Sequence, residues 1–431
     1  MINITQLYNL FQKHPYIQTD SRKLKEGEIF FALKGENFNG NLFAEEAIQK
    51  GAAAVIVDEE ISFKHKDIIK VDHVLHTLQE LALYHRKQFN IPFLAITGSN
   101  GKTTTKELIH AVLSSHYITY TTEGNLNNHI GIPLTLLKIK ADAEMAVIEM
   151  GANHQKEIEG YCEYVLPTHG LITNIGKAHL EGFGGIEGVK KGKGELFDFL
   201  RDKDGTVFVY HDQEALRDLS KGLNKIITYG THQADIMGKA IQAAPLLSVQ
   251  VQFNKELKTL HTQLVGDYNC PNILAAVAVG TYFKVPVEKV ISAIENYTPN
   301  NSRSQLIRIG TNEVVLDAYN ANPSSMTLAI QNFAKQKNPH KILMLGSMAE
   351  LGEESIKEHQ QIVKLIESFQ WDAVVLVGKE FEKIKHAYLQ FSNSEEAGKW
   401  LKDYNPQNSS ILMKGSRSSK MEKAMEFISN S

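Results

Sequence analysis

The amino-acid sequence predicts an α/β protein built from three domains, and three observations support this prediction. The chain has 431 residues, and at about 150 residues per domain this length corresponds to about three domains. Hydrophobic residues make up 42% and charged residues 22% of the chain, as in ordinary soluble globular proteins, which disfavours disordered and fibrous classes. Apolar runs of strand length alternate with helical stretches, which is typical of parallel sheets covered by helices.

Residues 1–88 are predicted to form a small α/β domain. Short β-type runs at 28–33 and 52–57 are mixed with helical stretches at 42–50 and 74–89. The runs are rich in β-branched and aromatic residues, whereas the longer stretches have helical periodicity. A change of pattern near residue 89 marks the first boundary.

Residues 89–300 are predicted to form a central domain around a parallel sheet. The apolar run at 91–97 meets a glycine-bearing turn and then a helical stretch at 103–115, the order of a buried strand that feeds a crossover helix. Runs at 146–149, 170–174 and 206–210 continue this rhythm. The segment 242–253 alternates polar and apolar residues, so we expect it to be antiparallel.

Residues 301–431 are predicted to form a smaller, doubly wound domain. Turn formers at 297–304 separate a helix at 287–296 from a new strand pattern. Three apolar strands follow, at 341–345, 373–377 and 410–413, with helical segments between them. The chain shows no repeat of 20 to 50 residues and no low-complexity tract.

Charge and cysteine content exclude several classes of protein. Lys plus Arg total 46 and Asp plus Glu total 49, a net charge of −3, so no broad basic surface exists for nucleic acid or an anionic membrane. Cys162 and Cys270 are too few for a disulfide framework, which fits a reducing compartment. No signal-peptide pattern and no uncharged apolar run of ~18 residues occurs. We therefore expect a cytoplasmic protein without an integral membrane segment.

A glycine-rich loop lies at the first strand-to-helix turn of the central domain, with the sequence Gly98-Ser99-Asn100-Gly101-Lys102-Thr103-Thr104. Backbone N–H groups of such a loop, together with a helix N-terminus, can hold phosphate oxygens. Its lysine would add charge at the terminal phosphates, and Thr103 would ligate Mg²⁺. Ile96 stands where the full G-x-x-x-x-G-K-[ST] pattern has its first glycine. A plain glycine turn is the alternative, and the sequence favours the phosphate loop.

Three other residues can be assigned a chemical role only when the residues around them are considered. Glu149 closes a predicted strand, where α/β sheets bind ligands and a carboxylate can hold Mg²⁺. His179 follows the next strand by a short loop, and Lys193 lies on the helical stretch beyond it. Taken singly, these residues have ordinary explanations as a solvated glutamate, a loop histidine and a solvated lysine.

Several segments, in this order, together resemble the ATP-dependent Mur ligase family. They are TGSNGKTTTKE at 97–107, TEGNLNNHIGIP at 122–133, EMGA at 149–152, TNIGKAHLEGF at 173–183 and KGELF at 193–197. Later segments resemble the branch of the family that joins D-alanyl-D-alanine to UDP-N-acetylmuramoyl-tripeptide. They are DAYNANPSSM at 317–326, LGSMAELG at 345–352 and KGSR at 414–417, with DSR at 20–22 and ALKGENFNG at 32–40. The similarity covers essentially the whole chain.

The resemblance implies a fold and a reaction. The central domain would be a P-loop-type ATPase domain between a UDP-sugar-peptide-binding domain and a Rossmann-like C-terminal ligase domain. ATP would phosphorylate the terminal carboxylate of the tripeptide, and the amine of the dipeptide would attack the acyl phosphate, giving ADP and phosphate in peptidoglycan precursor synthesis. The task of the protein in such a reaction is positioning and charge neutralisation.

The same resemblance assigns the catalytic and metal-binding residues. Lys102 would hold the β- and γ-phosphates, and Thr103 with Glu149 would hold a first Mg²⁺. His179 would ligate a second Mg²⁺ together with Lys193, which matches a carbamylated lysine of the family. Carbamylation replaces a cation that would repel Mg²⁺ with a carboxylate-like group.

The remaining site residues are also assigned by resemblance. On the ATP side they are Asn272, Arg303 and Asp317; on the substrate side they are Ser21, Arg22, Asn39, Gly40, Asn127, Asn128, Asn320, Asn322, Lys414, Ser416 and Arg417. Without the family pattern, helix caps and surface ion pairs would explain Asn272, Arg303 and Asp317. A monomer is expected, although no motif defines the oligomeric state or the third residue of the stem peptide.

Two departures from the branch pattern and three alternatives stay open. Ser347 stands where the branch commonly has an acidic residue, so that contact is absent or supplied by Glu350. Asn39 and Asn41 stand where Asp and His are common. The alternatives are a sister ligase such as one adding the third stem residue or a folylpolyglutamate synthase, a P-loop ATPase or small-molecule kinase, and a non-catalytic scaffold. The segment 317–326 argues against the sister ligases.

Overall fold

The computed structural model describes residues 2–253, 256–300 and 302–429. The chain divides into two compact units. The first comprises Met1–Ala95, Ile118–Ala152 and Glu157–His169, and the second comprises Ile96–Tyr117, Asn153–Lys156 and Gly170–Ser431. The three-domain boundaries near residues 88 and 300 stay predictions.

Helices and strands alternate along the described residues, as expected for an α/β protein. The strands are β1 (Ile17–Gln18), β2 (Ile29–Phe31), β3 (Lys34–Gly35), β4 (Phe38–Asn39), β5 (Ala54–Val57), β6 (Ile68–Lys70), β7 (Phe93–Thr97), β8 (Thr119–Thr121), β9 (Met145–Glu149), β10 (His169–Ile172), β11 (Thr206–Tyr210), β12 (Lys225–Gly230), β13 (Ile236–Gln242), β14 (Ser248–Phe253), β15 (Glu256–His261), β16 (Gln305–Ile309), β17 (Asn312–Asp317), β18 (Lys341–Gly346), β19 (Ala373–Val377), β20 (Leu389–Phe391) and β21 (Ser410–Lys414). The helices are α1 (Ile4–Lys13), α2 (Ala44–Gln49), α3 (Val74–Arg86), α4 (Lys102–Ser114), α5 (Gly131–Leu137), α6 (Glu157–Val165), α7 (Leu180–Phe183), α8 (Ile186–Asp202), α9 (Glu214–Leu219), α10 (Cys270–Tyr282), α11 (Val287–Asn296), α12 (Pro323–Ala334), α13 (Ser355–Glu367), α14 (Lys379–Glu382), α15 (Ser394–Tyr404) and α16 (Glu422–Ser429).

Three larger sheets organise the described strands. The first has the order β1-β2-β5-β6 and is parallel throughout. The second has nine strands in the order β15-β14-β13-β12-β11-β10-β7-β9-β8, with an antiparallel extension from β13 to β15. The third has the order β16-β17-β21-β18-β19-β20 and is parallel except at its edge pair, β16 and β17. The predicted α/β class is therefore confirmed.

The continuous apolar runs of the sequence form buried strands. Every residue of β7 and β9 is buried, because strands covered by helices on both faces have no solvent side. In the C-terminal part, β18, β19 and β21 match the three predicted strands to within one residue. Their core packs against helices α15 and α16 through Val375, Ile411, Met413, Leu401 and Ala424.

The predicted antiparallel segment at 242–253 differs in detail from the structure. Strand β13 ends at Gln242 and β14 begins at Ser248, so the segment is two strands with a connection between them. Pro245 lies in this connection and lacks the N–H that a strand ladder needs. The antiparallel pairing itself is confirmed.

The structure also bears on the membrane and cysteine expectations. No helix among the described residues has both the length and the apolar character needed to cross a bilayer. Cys162 and Cys270 are both buried and reduced. Burial raises the pKa of the Cys270 thiol to about 12, so this thiol is held in its unreactive protonated form.

A buried histidine in the first unit makes the stability of the fold sensitive to acid. His85 on α3 bonds through Nε2 to the carbonyl of Ile139 at 2.8 Å and through Nδ1 to the hydroxyl of Tyr8 at 3.0 Å. Because a carbonyl only accepts, Nε2 carries the proton and Nδ1 accepts from Tyr8. Burial lowers the pKa of His85 against the opposing effect of the Ile139 bond.

This arrangement predicts a loss of stability at low pH. In the unfolded chain a histidine titrates near its usual pKa of about 6.5. Below that pH the unfolded state binds more protons than the folded state, so the free energy of unfolding falls as the pH drops. The thermal unfolding midpoint should be measured at about pH 5.5 and at about pH 7.5. The change in midpoint between these two pH values should be smaller for His85→Gln than for the wild type. His76→Gln, an exposed position on the same helix, should keep the wild-type difference; equal pH differences in both variants would contradict the prediction.

Candidate active site

The glycine-rich loop joins β7 to the N-terminus of α4, and two of its glycines have positive φ. Gly98 has φ +142° and Gly101 has φ +76°. A Cβ at Gly98 would lie 2.0 Å from Oγ1 of Thr173, and a Cβ at Gly101 would lie 2.7 Å from Oδ1 of Asn272. Side chains are excluded at both positions, which leaves the backbone exposed at the start of a helix, as a phosphate cradle requires.

Lys102 begins α4 and folds back over the loop. Its Nζ donates to the carbonyl oxygen of Gly98 at 2.7 Å and lies 3.4 Å from that of Ser99. Thr103 and Thr104 follow it in the first helical turn and are buried. The loop therefore presents one positive charge and a helix N-terminus at the same place, which fits a polyphosphate.

The tip of the loop is held by residues from two other segments. Asn100 donates its N–H to Oδ1 of Asn174 at 3.0 Å, and its carbonyl accepts from Oγ1 of Thr173 at 2.6 Å and from Nδ2 of Asn174 at 3.0 Å. Its own side-chain oxygen accepts from Nδ2 of Asn322 at 2.7 Å. Thr173 and Asn174 were not predicted as site residues, although polar residues at the end of a predicted strand were the available signal.

Two predicted ATP-side residues are joined by a hydrogen-bond network. Asn272 accepts from Oγ1 of Thr105 at 3.1 Å and donates to Oδ1 of Asn269 at 2.8 Å. Asn269 bonds to Oγ of Ser304 at 3.2 Å, and the N–H of Ser304 bonds to Oδ1 of Asp317 at 3.2 Å. The network leads from helix α4 to the end of β17, and the sequence did not indicate Asn269 or Ser304.

Lys414 extends this network, because its buried ammonium contacts Oδ2 of Asp317. Asn320 lies beside the pair, with its carbonyl 3.5 Å from Nζ of Lys414. Ser416 donates from Oγ to the carbonyl of Ser347 at 2.6 Å. Three predicted substrate-side residues therefore gather around the carboxyl ends of β17, β18 and β21.

Two predicted arginines share one aromatic ring. The guanidinium carbon of Arg303 lies 3.7 Å from the ring centroid of Tyr319, and that of Arg417 lies 5.5 Å from it. Such cation–π contacts hold planar guanidinium groups in a fixed orientation. Tyr319 is thus a further site residue that the sequence placed in a motif without assigning a role.

His179 and Lys193 occupy constrained positions. His179 has φ +52° and precedes α7, and its Nδ1 lies against a carboxylate oxygen of Glu350. Lys193 on α8 is fully buried, with Nζ 4.8 Å from the ring centroid of Phe183. The simple explanation of Lys193 as a solvated surface lysine is therefore wrong, since its side chain is out of solvent.

A cavity of about 760 Å³ opens beside α7. Lys177, Leu180 and Glu181 line one wall, and the segment 351–354 with Glu358 lines the other. Nζ of Lys177 forms an ion pair of 2.6 Å with the buried carboxylate of Glu358. The cavity thus carries both signs of charge.

In the first unit, Glu149 is the buried last residue of β9. Its Oε1 accepts from Nδ2 of Asn127 at 2.7 Å, and its N–H donates to Oγ1 of Thr122 at 3.0 Å. The carboxylate is thus ordered and shielded from solvent rather than solvated. The amide oxygen of Asn128 accepts from the backbone N–H groups of Ile130 at 3.2 Å and Gly131 at 2.9 Å, so that side chain caps the start of α5.

The predicted nucleotide-sugar residues lie near the first sheet. Ser21 is buried, whereas the side chain of Arg22 is 85% exposed and paired with Asp20 at 2.8 Å. A Cβ at Gly40 would lie 2.6 Å from backbone atoms of 32–33, so only glycine fits there.

The two asparagines that depart from the branch pattern form internal bonds. Asn39 donates to the carboxylate of Glu59 at 3.1 and 3.2 Å. Asn41 is buried and donates from Nδ2 to Asp58 at 2.9 Å and to Oδ1 of Asn39 at 3.0 Å. These amides fix the loop after β4, and Asp58 and Glu59 are contacts that the sequence did not indicate.

The predicted metal ligands fit Mg²⁺ by their chemistry. Glu149 offers a buried carboxylate and Thr103 a hydroxyl in the first turn of α4, and hard cations prefer such oxygen ligands. No group of three or more His, Cys, Asp or Glu side chains suited to a metal ion converges in the described parts of the chain. A complete set would therefore draw on phosphate, water or modified-lysine oxygens.

Three domain models of one family match the chain in order. The Mur ligase family catalytic domain matches residues 15–86, the Mur ligase middle domain matches 96–280, and the Mur ligase glutamate ligase domain matches 302–417. The chain belongs to the Mur ligase family. The family resemblance drawn from the motifs is thereby confirmed.

Relatives within the Mur ligase family align over nearly the whole chain. The UDP-N-acetylmuramoyl-tripeptide–D-alanyl-D-alanine ligase of Escherichia coli is 34% identical, over 96% of this chain and 93% of the relative. The enzyme of the same name from Bacillus subtilis is 32% identical, over 95% and 92%. The crystal structure of MurF from Acinetobacter baumannii matches with a TM-score of 0.89 and 30% identity, over 100% of this chain and 99% of that one. MurF from Thermotoga maritima, solved in complex with ADP, matches with a TM-score of 0.88 and 25% identity, over 100% and 99%.

Proposed function

We propose that this Mur ligase adds D-alanyl-D-alanine to UDP-N-acetylmuramoyl-tripeptide with ATP, through an acyl phosphate, as a step of peptidoglycan precursor synthesis in the cytoplasm. The observation that carries the proposal is the 2.7 Å hydrogen bond between Asn322 and Asn100. This bond places the segment 317–326 directly against the phosphate loop. That segment resembles the branch of the family that adds D-alanyl-D-alanine. A simple ATPase or kinase needs no such segment at its phosphates.

The chemistry explains why a phosphate loop and a ligase segment belong together. A carboxylate is a poor electrophile, so its oxygen must first attack the γ-phosphorus of ATP, and ADP leaves. The dipeptide amine then attacks the acyl carbon, loses a proton, and phosphate leaves as the amide forms. Lys102 and the N-terminus of α4 would hold the phosphates in line for the first step. The chain supplies orientation and charge in both steps.

The proposed metal site uses residues whose donor atoms suit it. Thr103 and Glu149 would hold the first Mg²⁺, and His179 with a carbamylated Lys193 would hold the second. When bound, these ions would supply positive charge that neutralises the phosphate oxygens. The burial of Lys193 supports the carbamate, because a buried ammonium beside Mg²⁺ would add repulsion to the cost of desolvation.

We propose the following arrangement of the other substrates. Residues 1–88 bind the UDP-sugar peptide through Ser21, Arg22, Asn39 and Gly40; residues 89–300 bind ATP, with Asn127 and Asn128 on the substrate side; residues 301–431 complete the site through Arg303, Asp317, Asn320, Asn322, Lys414, Ser416 and Arg417. Asn272 belongs to the adenine side. The working form is proposed to be a monomer.

Phosphate release from ATP, measured with each component omitted in turn, tests the function. The complete mixture contains Mg²⁺, UDP-N-acetylmuramoyl-tripeptide and D-alanyl-D-alanine, and the product is followed by mass. Release that needs both peptides, with a mass gain of the dipeptide minus water, is the expected result. Release without the dipeptide would indicate an ATPase, and a requirement for a different amino acid would indicate a sister ligase.

A glycine substitution provides a structural test of the phosphate loop. Gly101→Ala places a methyl group 2.7 Å from Oδ1 of Asn272 at φ +76°. We expect the KM for ATP to rise about tenfold or more, because both the loop and the Asn272 amide must shift. Gly310→Ala is the matched control, since Gly310 has φ +58° and no atom within 4 Å of its added Cβ. That variant should lose about 1 kcal/mol of stability and keep its KM for ATP; similar KM values for both variants would contradict the proposed role of the loop.

A further inference from the structure

Ser304 is buried at a point where the backbone has an uncommon conformation. Its φ is +50°, in the left-handed region. Residues other than glycine seldom adopt this region, and they persist there only where their surroundings hold them. Ser304 is held on one side by the turn at 267–269 that precedes α10 and on the other side by the end of β17. Its side chain and its main chain therefore contact two different parts of the candidate site.

The hydroxyl of Ser304 contacts two side chains of the turn at 267–269. Its Oγ accepts from Nδ2 of Asn269 at 3.2 Å and lies 3.2 Å from the hydroxyl oxygen of Tyr268. Nδ2 of buried Asn269 also donates to the carbonyl of Val265 at 2.8 Å. Because an amide nitrogen carries two N–H groups, these two bonds use both of them. Together they fix the plane of the Asn269 amide.

The amide of Asn269 in turn holds the side chain of Asn272. Oδ1 of Asn269 accepts from Nδ2 of Asn272 at 2.8 Å, and Oδ1 of Asn272 accepts from Oγ1 of Thr105 at 3.1 Å. The Asn272 side chain also lies beside the phosphate loop, since a Cβ at Gly101 would be 2.7 Å from its Oδ1. A change at the hydroxyl of Ser304 would thus be transmitted through Asn269 to the residue that meets the loop.

The main chain of Ser304 makes a separate bond to the C-terminal part of the site. Its N–H donates to Oδ1 of Asp317 at 3.2 Å. A substitution of the side chain keeps this N–H, so the hydroxyl can be removed while the link to Asp317 stays possible. The contribution of the hydroxyl is therefore measurable by itself.

We propose that Ser304 is a positioning residue for nucleotide binding, because its hydroxyl, through Asn269, holds the amide of Asn272 in a fixed orientation beside the phosphate loop. This inference rests on the proposed function, which places Asn272 on the adenine side. Ser304 acts through its partners and not by contact with the nucleotide. A buried hydrogen-bond network holds its members in one arrangement when all of them are bonded, and it loses this property when one partner is removed.

Calorimetric titration with MgADP measures nucleotide affinity without any turnover. We expect the dissociation constant to rise about tenfold in Ser304→Ala, because the buried Asn269 amide loses a partner. Ser304→Gly should show the same rise, although glycine relieves the left-handed backbone. Ser302→Ala is the matched control, since Ser302 has φ +55° and lies two residues away, and it should bind MgADP like the wild type. Wild-type affinity in Ser304→Gly would show that the hydroxyl is not needed and would overturn the proposal.

A double-mutant cycle tests whether Ser304 acts through Asn272. If it does, adding Ser304→Ala to Asn272→Ala should change the dissociation constant of MgADP by less than about twofold, whereas the same substitution in the wild type changes it about tenfold. Equal effects in the two backgrounds would overturn the positioning role, because a loss that is merely structural adds to the loss from Asn272→Ala.

The titrations separate failure of this inference from failure of the proposed function. An unchanged affinity in Ser304→Ala would overturn the positioning role even if the chain ligated the peptides. A wild type that bound MgADP and gave the expected cycle, but failed to ligate the peptides, would contradict the proposed reaction and support the role of Ser304. A wild type that did not bind MgADP would overturn both.

Discussion

Lys193→Ala is expected to lower the rate of ligation by about a thousandfold, the upper end of the usual effect of removing a group that stabilises charge in the transition state. Lys193 is fully buried on α8, and the helix is tightly packed there. A Cβ at Gly192 would lie 2.4 Å from the ring of Phe183, and one at Gly194 would lie 2.8 Å from the side chain of Leu219. The backbone has little room to collapse into the space that the deleted side chain leaves.

That space allows a chemical rescue that tests the carbamate itself. A carbamate ends in the same two oxygens as a carboxylate, so formate or acetate should restore part of the activity of Lys193→Ala. Added bicarbonate should not, because the amine that would capture CO₂ is gone. The measurement is product formation against carboxylate concentration. Lys191→Ala, exposed on the same helix, should keep wild-type activity, whereas near-normal activity of Lys193→Ala would exclude the carbamate.

The sequence could predict those parts of the site in which neighbouring residues act together. The loop from Gly98 to Thr104 is one such part, because its glycines, its lysine and the start of α4 follow one another in the chain. The strands β18, β19 and β21 were equally predictable, since burial on both faces requires continuous apolar runs. Local sequence fixes local structure in both cases.

The contacts between distant residues could not be predicted in this way. Asn322 reaches Asn100 across 222 positions of the chain, and Asn269 reaches Ser304 across 35 positions that include α10 and α11. Asparagine and serine are ordinary cap and turn residues, so their types carry no signal of such partners. His179 and Glu350 also meet where both backbones are left-handed, a conformation that residues other than glycine seldom adopt.

Lys102→Met is expected to lower kcat/KM for ATP by about a thousandfold, since the phosphate loop then lacks the charge that faces the transferred phosphoryl group. Nζ of Lys102 is held 2.7 Å from the carbonyl of Gly98, so the ammonium is already directed over the loop before any phosphate contact. Methionine keeps the length and apolar body of the side chain while removing the charge. We therefore expect a lower kcat and a weaker affinity for the nucleotide. The thermal unfolding midpoint should change little.

Lys102→Arg keeps the positive charge of the side chain but changes the shape and position of the charged group. The guanidinium is a wide planar fork with a fixed donor geometry, whereas the ammonium is a compact point charge, and the turn around Gly98 and Gly101 leaves no side-chain space. We therefore expect arginine to recover little of the lost activity although it restores the charge. Steady-state kinetics with varied ATP, together with calorimetric titration of ADP, measure the two effects. Lys203→Met, exposed beyond the end of α8, is the control. A loss below about tenfold in Lys102→Met would show that the helix N-terminus and Mg²⁺ hold the phosphates without this lysine.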